Sequence, residues 1–219
     1  MKNKIKVLVN TSTFKSNKNE PVPDFINKLL DNLTLENSQL EFKILKPMTG
    51  SEKRNTVLEN YEIYSYQYFF PKKFQDLSIK GIKPSVENNK FNIVKVILLS
   101  ISQFFSLLKL SIIYKPDFIY SHWFLPQVVI TYLVCKILNI KYIFTSHGSD
   151  VLLLNNLGRV GSWVVRKVTN SSYRYSAVSS LVLSEINRNL KSEKNNFKVI
   201  PMGLDDKFLD IHPEYKEVK

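Results

Sequence analysis

Two short segments of this sequence each carry a run of β-branched and aromatic residues that ends in a histidine. The first, DFIYSHWFLP, occupies residues 117–126 and contains His122, and the second, KYIFTSHGSD, occupies residues 141–150 and contains His147. Both runs predict buried β-strands. In an open parallel sheet, the loops that leave the carboxyl ends of the strands line the crevice in which ligands bind. Two of the three histidines in the chain are therefore expected at a ligand-binding crevice.

The second histidine is followed by residues that suit a tight turn and a polar reaction. Gly148 lets the backbone turn sharply or approach a ligand closely, and Asp150 offers a carboxylate that accepts a hydrogen bond or a proton from a hydroxyl group. A structural interpretation is open at the same residues. In that interpretation His147 caps a turn, and Asp150 is the N-cap of the helix that follows.

The elements that position these residues follow from the hydrophobic periodicity of the chain. Strands and helices alternate along it, which predicts right-handed parallel crossovers. The expected fold class is α/β, a Rossmann-like doubly wound parallel sheet with helices on both faces. Strands are expected at residues 5–10, 40–46, 62–70, 117–121, 141–146, 173–178 and 197–200. Helices are expected to begin near Pro23 and to occupy residues 91–114, 126–138, 160–169 and 179–190.

Size and charge bound the function classes. A chain of 219 residues with 44% hydrophobic composition is long enough for one large domain. Cys135, the single cysteine, gives no disulfide framework or metal cluster and is expected to pack in the core. The net charge of +12 suits nucleic acid, an anionic bilayer or a phosphorylated substrate. Because no nucleic-acid-binding motif accompanies the basic residues, no nucleic-acid partner is expected. The apolar stretch at residues 5–9 is too short for a signal peptide, which favours a cytoplasmic protein.

The segment at residues 71–95 is strongly basic and leads into an apolar helix. Its six lysines stand against two acidic residues, a net charge of 6 − 2 = +4, and residues 71–90 are expected to form a loop. Residues 96–108 then form an apolar run that Lys109 interrupts, which is too short for a transmembrane span. Two alternatives remain. The helix at residues 91–114 is either a core helix of the α/β fold or partly immersed in an anionic membrane surface.

Four motifs in order resemble those of a known family. They are KPDFIYSHWFLPQ at residues 115–127, TSHGSD at 145–150, YSAVS at 175–179 and VIPMGLD at 199–205. Together they resemble the N-terminal domain of a family-four glycosyltransferase over roughly residues 3–211. The resemblance implies one half of a GT-B architecture, with that domain at residues 1–211 and the start of a linker or tail at residues 212–219. The other half, which binds the nucleotide sugar, would be a C-terminal domain that this sequence lacks.

The resemblance also implies roles for individual residues. His147 would reach the transferred sugar near the scissile bond, and Asp150 would face the acceptor. His122 and Trp123 would either contact the acceptor or support the crevice loop. Further substrate-binding residues would be Gly148, Ser149, Thr11, Thr13, Met202 and Gly203. The family needs no metal ion for transfer, so no metal site and no cofactor are expected apart from a nucleotide-diphosphate sugar as co-substrate.

The sequence departs from the family pattern in several places. The loop at residues 11–23 lacks the usual glycine pair that approaches the donor phosphates, since the first glycine of the chain is Gly50. Glu20 in that loop would repel phosphate. Val128 stands where a small residue is common, and Met202 replaces an asparagine in the hinge before Gly203. The hinge role survives that change, but the asparagine side-chain contact does not.

Three functions compete on the sequence. The leading one is a retaining glycosyltransferase that adds a sugar to a cell-surface or lipid-linked glycan, as in polysaccharide biosynthesis, on the cytoplasmic membrane face. The second is a catalytically incomplete binding domain that needs a donor-binding partner encoded separately. The third is an unrelated nucleotide-binding or methyl-transfer domain. That third function predicts an early phosphate-binding glycine cluster, which the sequence lacks.

Overall fold

Eight strands form one sheet in the computed structural model, which describes residues 4–17, 20–50, 52–58, 61–190 and 197–203. The strand order is β3-β4-β2-β1-β5-β6-β7-β8, and every neighbouring pair is parallel except β3 and β4. The strands are β1 (Ile5–Asn10), β2 (Leu40–Pro47), β3 (Asn55–Leu58), β4 (Tyr61–Tyr66), β5 (Phe118–His122), β6 (Lys141–Ser146), β7 (Arg174–Ala177) and β8 (Phe197–Val199). The strand order reverses beside β1, as in a doubly wound sheet.

The helices cover both faces of this sheet. They are α1 (Phe25–Glu36), α2 (Leu77–Lys80), α3 (Ile82–Asn88), α4 (Asn92–Tyr114), α5 (Val129–Leu138), α6 (Ser149–Asn155), α7 (Gly158–Ser171) and α8 (Ser180–Asn187). Val7 and Val9 of β1 point into a core under α1, whereas Leu8 points into the larger core on the opposite face, because side chains alternate along a strand. The predicted α/β fold with a doubly wound sheet is therefore confirmed.

Four elements were absent from the sequence-based prediction. The predicted loop at residues 71–90 contains α2 and α3, the strand β3 pairs antiparallel at the sheet edge, and α6 follows directly on His147 and Gly148. The prediction of a structureless basic loop is wrong. The predicted domain end at residue 211 and the linker at residues 212–219 lie outside the described residues.

The apolar helix α4 lies on the sheet along only one of its faces. Leu99, Gln103 and Leu107 are fully or almost fully buried, and the Gln103 Nε2 donates to the Asn10 Oδ1 at 3.0 Å. By length and composition α4 is long and apolar enough to cross a membrane. Only 28% of its most apolar 18-residue stretch is buried in the protein. Its exposed face is apolar and includes Ile93, Val94, Ile97, Leu98, Ile101, Phe105, Ile112 and Ile113. Among the described residues α4 is thus not a core helix buried on most sides.

Candidate functional site

The two strand-end histidines meet at the carboxyl edge of the sheet. β5 and β6 are parallel neighbours, with His122 in register with Thr145 and His147 two residues further along the chain. The Nδ1 of His122 lies 3.2 Å from the Nε2 of His147, so that one ring donates and the other accepts a hydrogen bond. The expectation that both loops leave the same edge of the sheet is confirmed.

Burial determines the charge of this histidine pair. His122 is fully buried, and desolvation, with a smaller contribution from His147, holds its pKa well below the ordinary value. Desolvation lowers the pKa of His147 to about 4. Both rings are therefore neutral at neutral pH, and within the described residues each keeps one buried nitrogen without a partner, the Nε2 of His122 and the Nδ1 of His147. The pair carries no positive charge with which to neutralise phosphate.

Aromatic rings pack around the pair. The Trp123 ring lies over the His147 ring with 4.6 Å between centroids and 32° between planes. Phe25 contacts both, at 5.3 Å from the His147 ring and 5.7 Å from the Trp123 ring. Trp123 holds a positive φ of 65°, a conformation that non-glycine residues rarely adopt. Phe25 begins the helix that was predicted to start near Pro23, and nothing in its spacing indicates the contact with His147.

Gly148 and Asp150 shape the loop between β6 and α6. Gly148 has a φ of 131°, where a side chain would be strained, and a Cβ there would lie 3.4 Å from Val182. This requirement confirms the expected tight turn. Ser149 is the first residue of α6, and Asp150 lies in its first turn.

The Asp150 carboxylate connects the two crevice loops. Its Oδ2 accepts hydrogen bonds from the backbone N–H groups of Phe124 and, at 3.1 Å, Leu125. Its Oδ1 accepts from the N–H of Val151 at 3.1 Å. Burial raises the pKa of Asp150, and these N–H donors oppose that effect. Asp150 therefore does not act as the N-cap of α6 but holds the turn that follows Trp123.

A cavity of about 580 Å³ opens beside this turn. Trp123, Leu125 and Asp150 form one side of it, and Thr13 contributes from the loop after β1. Thr13 is 8% exposed, and its hydroxyl has no hydrogen-bond partner in the part of the chain that the structure describes. Thr11 does not line the cavity. Its hydroxyl donates to the Thr13 carbonyl oxygen at 2.9 Å and so stabilises the loop.

The predicted hinge residues lie apart from the histidine pair. Met202 and Gly203 follow β8, which is two strands away from β6 in the sheet, and they do not line the cavity. Met202 is 52% exposed, and a Cβ on Gly203 would have nothing within 4 Å. The described residues therefore do not bring the hinge together with the rest of the predicted site.

A buried ion cluster holds the loop after β1 in place of glycines. The Lys46 Nζ, on a side chain that is 1% exposed, lies 2.6 Å from the Glu20 Oε1 and 3.2 Å from the Glu52 Oε1, and it also donates to the Phe14 carbonyl oxygen at 2.8 Å. Burial tends to raise the pKa of Glu20, but Lys46 and the hydrogen bonds from Ser16 and Thr49 leave that pKa lowered. Glu20 is thus paired with Lys46 inside the protein, and the expectation that it repels ligand phosphate stays a prediction.

The described part of the chain offers few side chains for metal binding or thiol chemistry. No group of three or more His, Cys, Asp or Glu side chains there is placed to hold a metal ion. Cys135 is buried as predicted, and desolvation raises the pKa of its thiol to about 12. The arrangement as a whole offers neutral imidazoles, aromatic faces, one shielded carboxylate and an apolar cavity. These groups suit the positioning of a molecule that carries hydroxyl groups.

Comparison with known proteins agrees with this picture. The sequence model described as Glycosyltransferase Family 4 matches residues 64–208, more than half of the chain. A protein of the archaeon Methanocaldococcus jannaschii, "Uncharacterized glycosyltransferase MJ1178", is 32% identical over 99 residues, which are 45% of this chain and 27% of that protein.

Solved structures are similar in fold. The Anabaena protein HepE in complex with UDP-glucose superposes with a TM-score of 0.53 at 13% identity, over 95% of this chain and 47% of HepE. The N-terminal domain of Candida albicans trehalose-6-phosphate phosphatase gives a TM-score of 0.65 at 12% identity, over 93% of this chain and 50% of that one. The chain thus spans about half the length of these structures.

Proposed function

The chain belongs to glycosyltransferase family 4, and we propose that it is the acceptor-side domain of an enzyme that transfers a sugar from a nucleotide-diphosphate sugar to a glycan or lipid-linked acceptor. The fold similarity to HepE, which was crystallised with UDP-glucose, supports a nucleotide sugar as the donor. We also propose that the transferred sugar keeps its anomeric configuration, and this part of the proposal rests on the family resemblance. The second half of a GT-B enzyme would provide the opposite wall of the cleft.

The observation that carries the proposal is the neutral histidine pair at the ends of β5 and β6. A sugar presents hydroxyl groups that both donate and accept hydrogen bonds, and a neutral imidazole matches them without electrostatic preference for phosphate. The bond to His122 orients the His147 ring, and Trp123 and Phe25 restrict its rotation. Such fixed geometry lowers the entropy cost of placing the transferred sugar.

Asp150 acts in this proposal through the loop that it holds. Its carboxylate fixes the turn at Phe124 and Leu125, and that turn forms one side of the cavity. An acceptor bound in the cavity would present its hydroxyl group beside Trp123 and Asp150. Thr13, whose hydroxyl has no partner, would then complete the polar end of the acceptor site.

A sugar-transfer assay tests the proposal. The 219-residue chain is incubated with nucleotide sugars and candidate acceptors, with and without a donor-binding partner domain. The substitution His147→Asn removes the imidazole and is expected to reduce kcat by about 100-fold, the range associated with loss of one preorganised hydrogen bond in a transition state. Circular dichroism shows whether the variant is folded. A folded His147→Asn variant with unchanged kcat and KM would contradict the assigned role.

The competing function is a catalytically incomplete binding domain that needs a separately encoded donor-binding partner. The chain spans about half the length of the proteins that it matches, which favours a requirement for a second half. In that case the chain alone binds acceptor but transfers no sugar, and activity appears only when the partner domain is added. Turnover by the isolated chain would exclude this function.

We also propose that the protein works at the cytoplasmic face of a membrane, held by α4 and the basic segment at residues 71–95. The exposed apolar face of α4 gives the contact with lipid, and the net charge of +4 in the segment favours an anionic surface.

In a sedimentation assay, anionic liposomes should retain the protein at low salt, and neutral liposomes should not. Ile97→Asp on α4 should abolish retention, whereas Ile137→Asp on α5, at a similarly exposed isoleucine, should not. Equal recovery with both lipids would refute the proposal.

A further inference from the structure

The cavity beside Asp150 has walls that sugar binding does not explain. It lies between the loop after β1, the helices α2 and α3, the first turns of α4, and the segments that follow β5 and β6. Apolar side chains dominate its lining, among them Leu77, Ile82, Val96, Leu99, Leu125 and Leu153. Its volume of about 580 Å³ is in the range of small-molecule sites. A glycan has no apolar surface that would cover walls of this extent.

Two buried hydroxyl groups in the same lining have no hydrogen-bond partner. Thr13 and Ser78 are each 8% exposed, and neither hydroxyl makes a hydrogen bond within the described residues. Buried hydroxyl groups are usually paired, since an unpaired one has lost its water without compensation. Both hydroxyl oxygens are shielded from the cavity, so a polar atom of a ligand would reach them only after a shift of neighbouring side chains.

The rim of the cavity carries charged side chains on one side and apolar ones on the other. Lys80 and Lys83 line it together with Glu87, and they form exposed ion pairs with Asp76 at 2.7 Å and with Glu87 at 4.0 Å. The segment that contains these side chains keeps a net charge of +4. Ile93, which is 54% exposed, lines the cavity and begins the exposed row that continues along α4 at Ile97 and Ile101. The cavity therefore adjoins the surface that would rest on an anionic bilayer.

From these observations we infer that the acceptor is an anionic amphiphile whose hydrocarbon chain occupies this cavity. The chain covers the apolar walls, the anionic group lies near Lys80 and Lys83, and the hydroxyl group that receives the sugar lies near Asp150. This inference rests on the proposed function and specifies its substrate class. Each buried methylene contributes about fourfold in affinity, so that the length of the chain should determine binding.

A quenching experiment on the complete 219-residue chain tests the inference without any donor sugar. The exposed Trp163 on α7 is first replaced by Phe, which leaves Trp123 in the cavity wall as the fluorescent reporter. The probe is dodecyl phosphate with a bromine on the terminal carbon, used below its micelle concentration. Bromine quenches an indole only at contact distance. We expect saturable quenching by the brominated dodecyl phosphate. The octyl analogue and dodecyl maltoside should bind more weakly than this probe. A mixture of brominated short-chain alcohols and inorganic phosphate should not quench.

Two neighbouring leucines of α6 provide matched variants. Leu153 lines the cavity and is 45% exposed, whereas Leu152 is 42% exposed and lies outside it. Leu153→Glu should weaken probe binding at least tenfold, and Leu152→Glu should change it less than twofold. Ile79 is a second exposed residue of the lining, and Ile79→Glu should weaken probe binding as Leu153→Glu does. If Leu153→Glu does not fold, Ile79→Glu serves as the test variant.

The outcomes separate this inference from the proposed function. Absence of quenching, or equal weakening by the variants at positions 152 and 153, would overturn the amphiphile site. Sugar transfer to a water-soluble glycan with the same KM as to a lipid-linked one would also overturn it while leaving the glycosyltransferase proposal intact. Saturable, variant-sensitive binding without transfer to any acceptor, with a donor-binding partner domain present, would support the site and refute the transferase.

Discussion

Acidification is expected to destabilise this protein through His122 and His147 before its carboxylates contribute. In the unfolded chain a histidine titrates at its ordinary pKa of 6.5. In the folded chain burial lowers the pKa of His147 to about 4 and holds the pKa of His122 well below 6.5. As the pH falls below 6.5, the unfolded chain takes up protons that the folded chain does not. The free energy of unfolding is therefore highest above that pH and falls until the pH approaches the folded-state pKa values.

The size of the effect follows from the pKa values of His147. Between about pH 7.5 and about pH 5, a group with pKa values of 6.5 unfolded and about 4 folded costs about 2 kcal/mol of stability. His122, whose pKa is lowered in the same direction, adds to this loss. Asp150 acts in the opposite direction because burial raises its pKa, whereas Glu20 adds to the loss only below about its ordinary value of 4.5. The loss expected from His147 is thus about 2 kcal/mol.

Urea denaturation at several pH values measures this loss. With a denaturant slope of about 2 kcal/mol per molar, the loss from His147 should lower the midpoint by about 1 M between the two pH values. In the double variant His122→Asn with His147→Asn the acid-dependent fall should be mostly absent, although the variant is less stable at neutral pH. Leu152→Glu serves as a control that keeps both rings. If the double variant lost as much stability on acidification as the parent chain, the burial argument for this pair would be refuted.

Two further substitutions test the support of the site. Lys46→Met should lower the free energy of unfolding by about 3 to 5 kcal/mol, because it leaves two buried carboxylates without a cation, and adding Glu20→Gln should restore part of the loss in urea titrations. A stability unchanged by Lys46→Met would contradict the cluster. Gly148→Ala should cost about 1 to 3 kcal/mol, since its φ of 131° strains any side chain, and thermal unfolding by circular dichroism measures it. The control Gly203→Ala should be less affected, because Gly203 has no positive φ and a Cβ there meets nothing within 4 Å.

Local sequence patterns predicted the part of the fold that places the histidines. β5 and β6 are short apolar runs separated by one helix, and such a unit admits only a parallel, adjacent arrangement in most folds. Chain order therefore predicted that His122 and His147 lie at the same edge of the sheet, but it did not predict their contact. The role of Asp150 did not, because the sequence shows a carboxylate near a helix start but not the loop N–H groups that reach it from Phe124 and Leu125.

The elements that sequence analysis missed depend on packing rather than on periodicity. α2 and α3 are too short to show a helical repeat, and each contains one lysine, so that the surrounding composition indicates a loop. Leu77 belongs to the buried core cluster that includes Leu99 of α4, and Lys95 of α4 forms an ion pair with Asp76 at 3.2 Å. The same packing creates the cavity, which no linear pattern could indicate.

The loop after β1 shows how a cluster distant in sequence changes a functional argument. Glu20, Lys46 and Glu52 come from two loops and a strand, and only the fold brings them within 3.2 Å of a common ammonium group. Two carboxylates and one lysine leave this cluster with a net negative charge, and the histidine pair beside the crevice is neutral. Neither group attracts a diphosphate. The cations that bind the donor phosphates should therefore lie on the opposite wall of the cleft, and this wall should orient the sugar and the acceptor by hydrogen bonds and apolar contact.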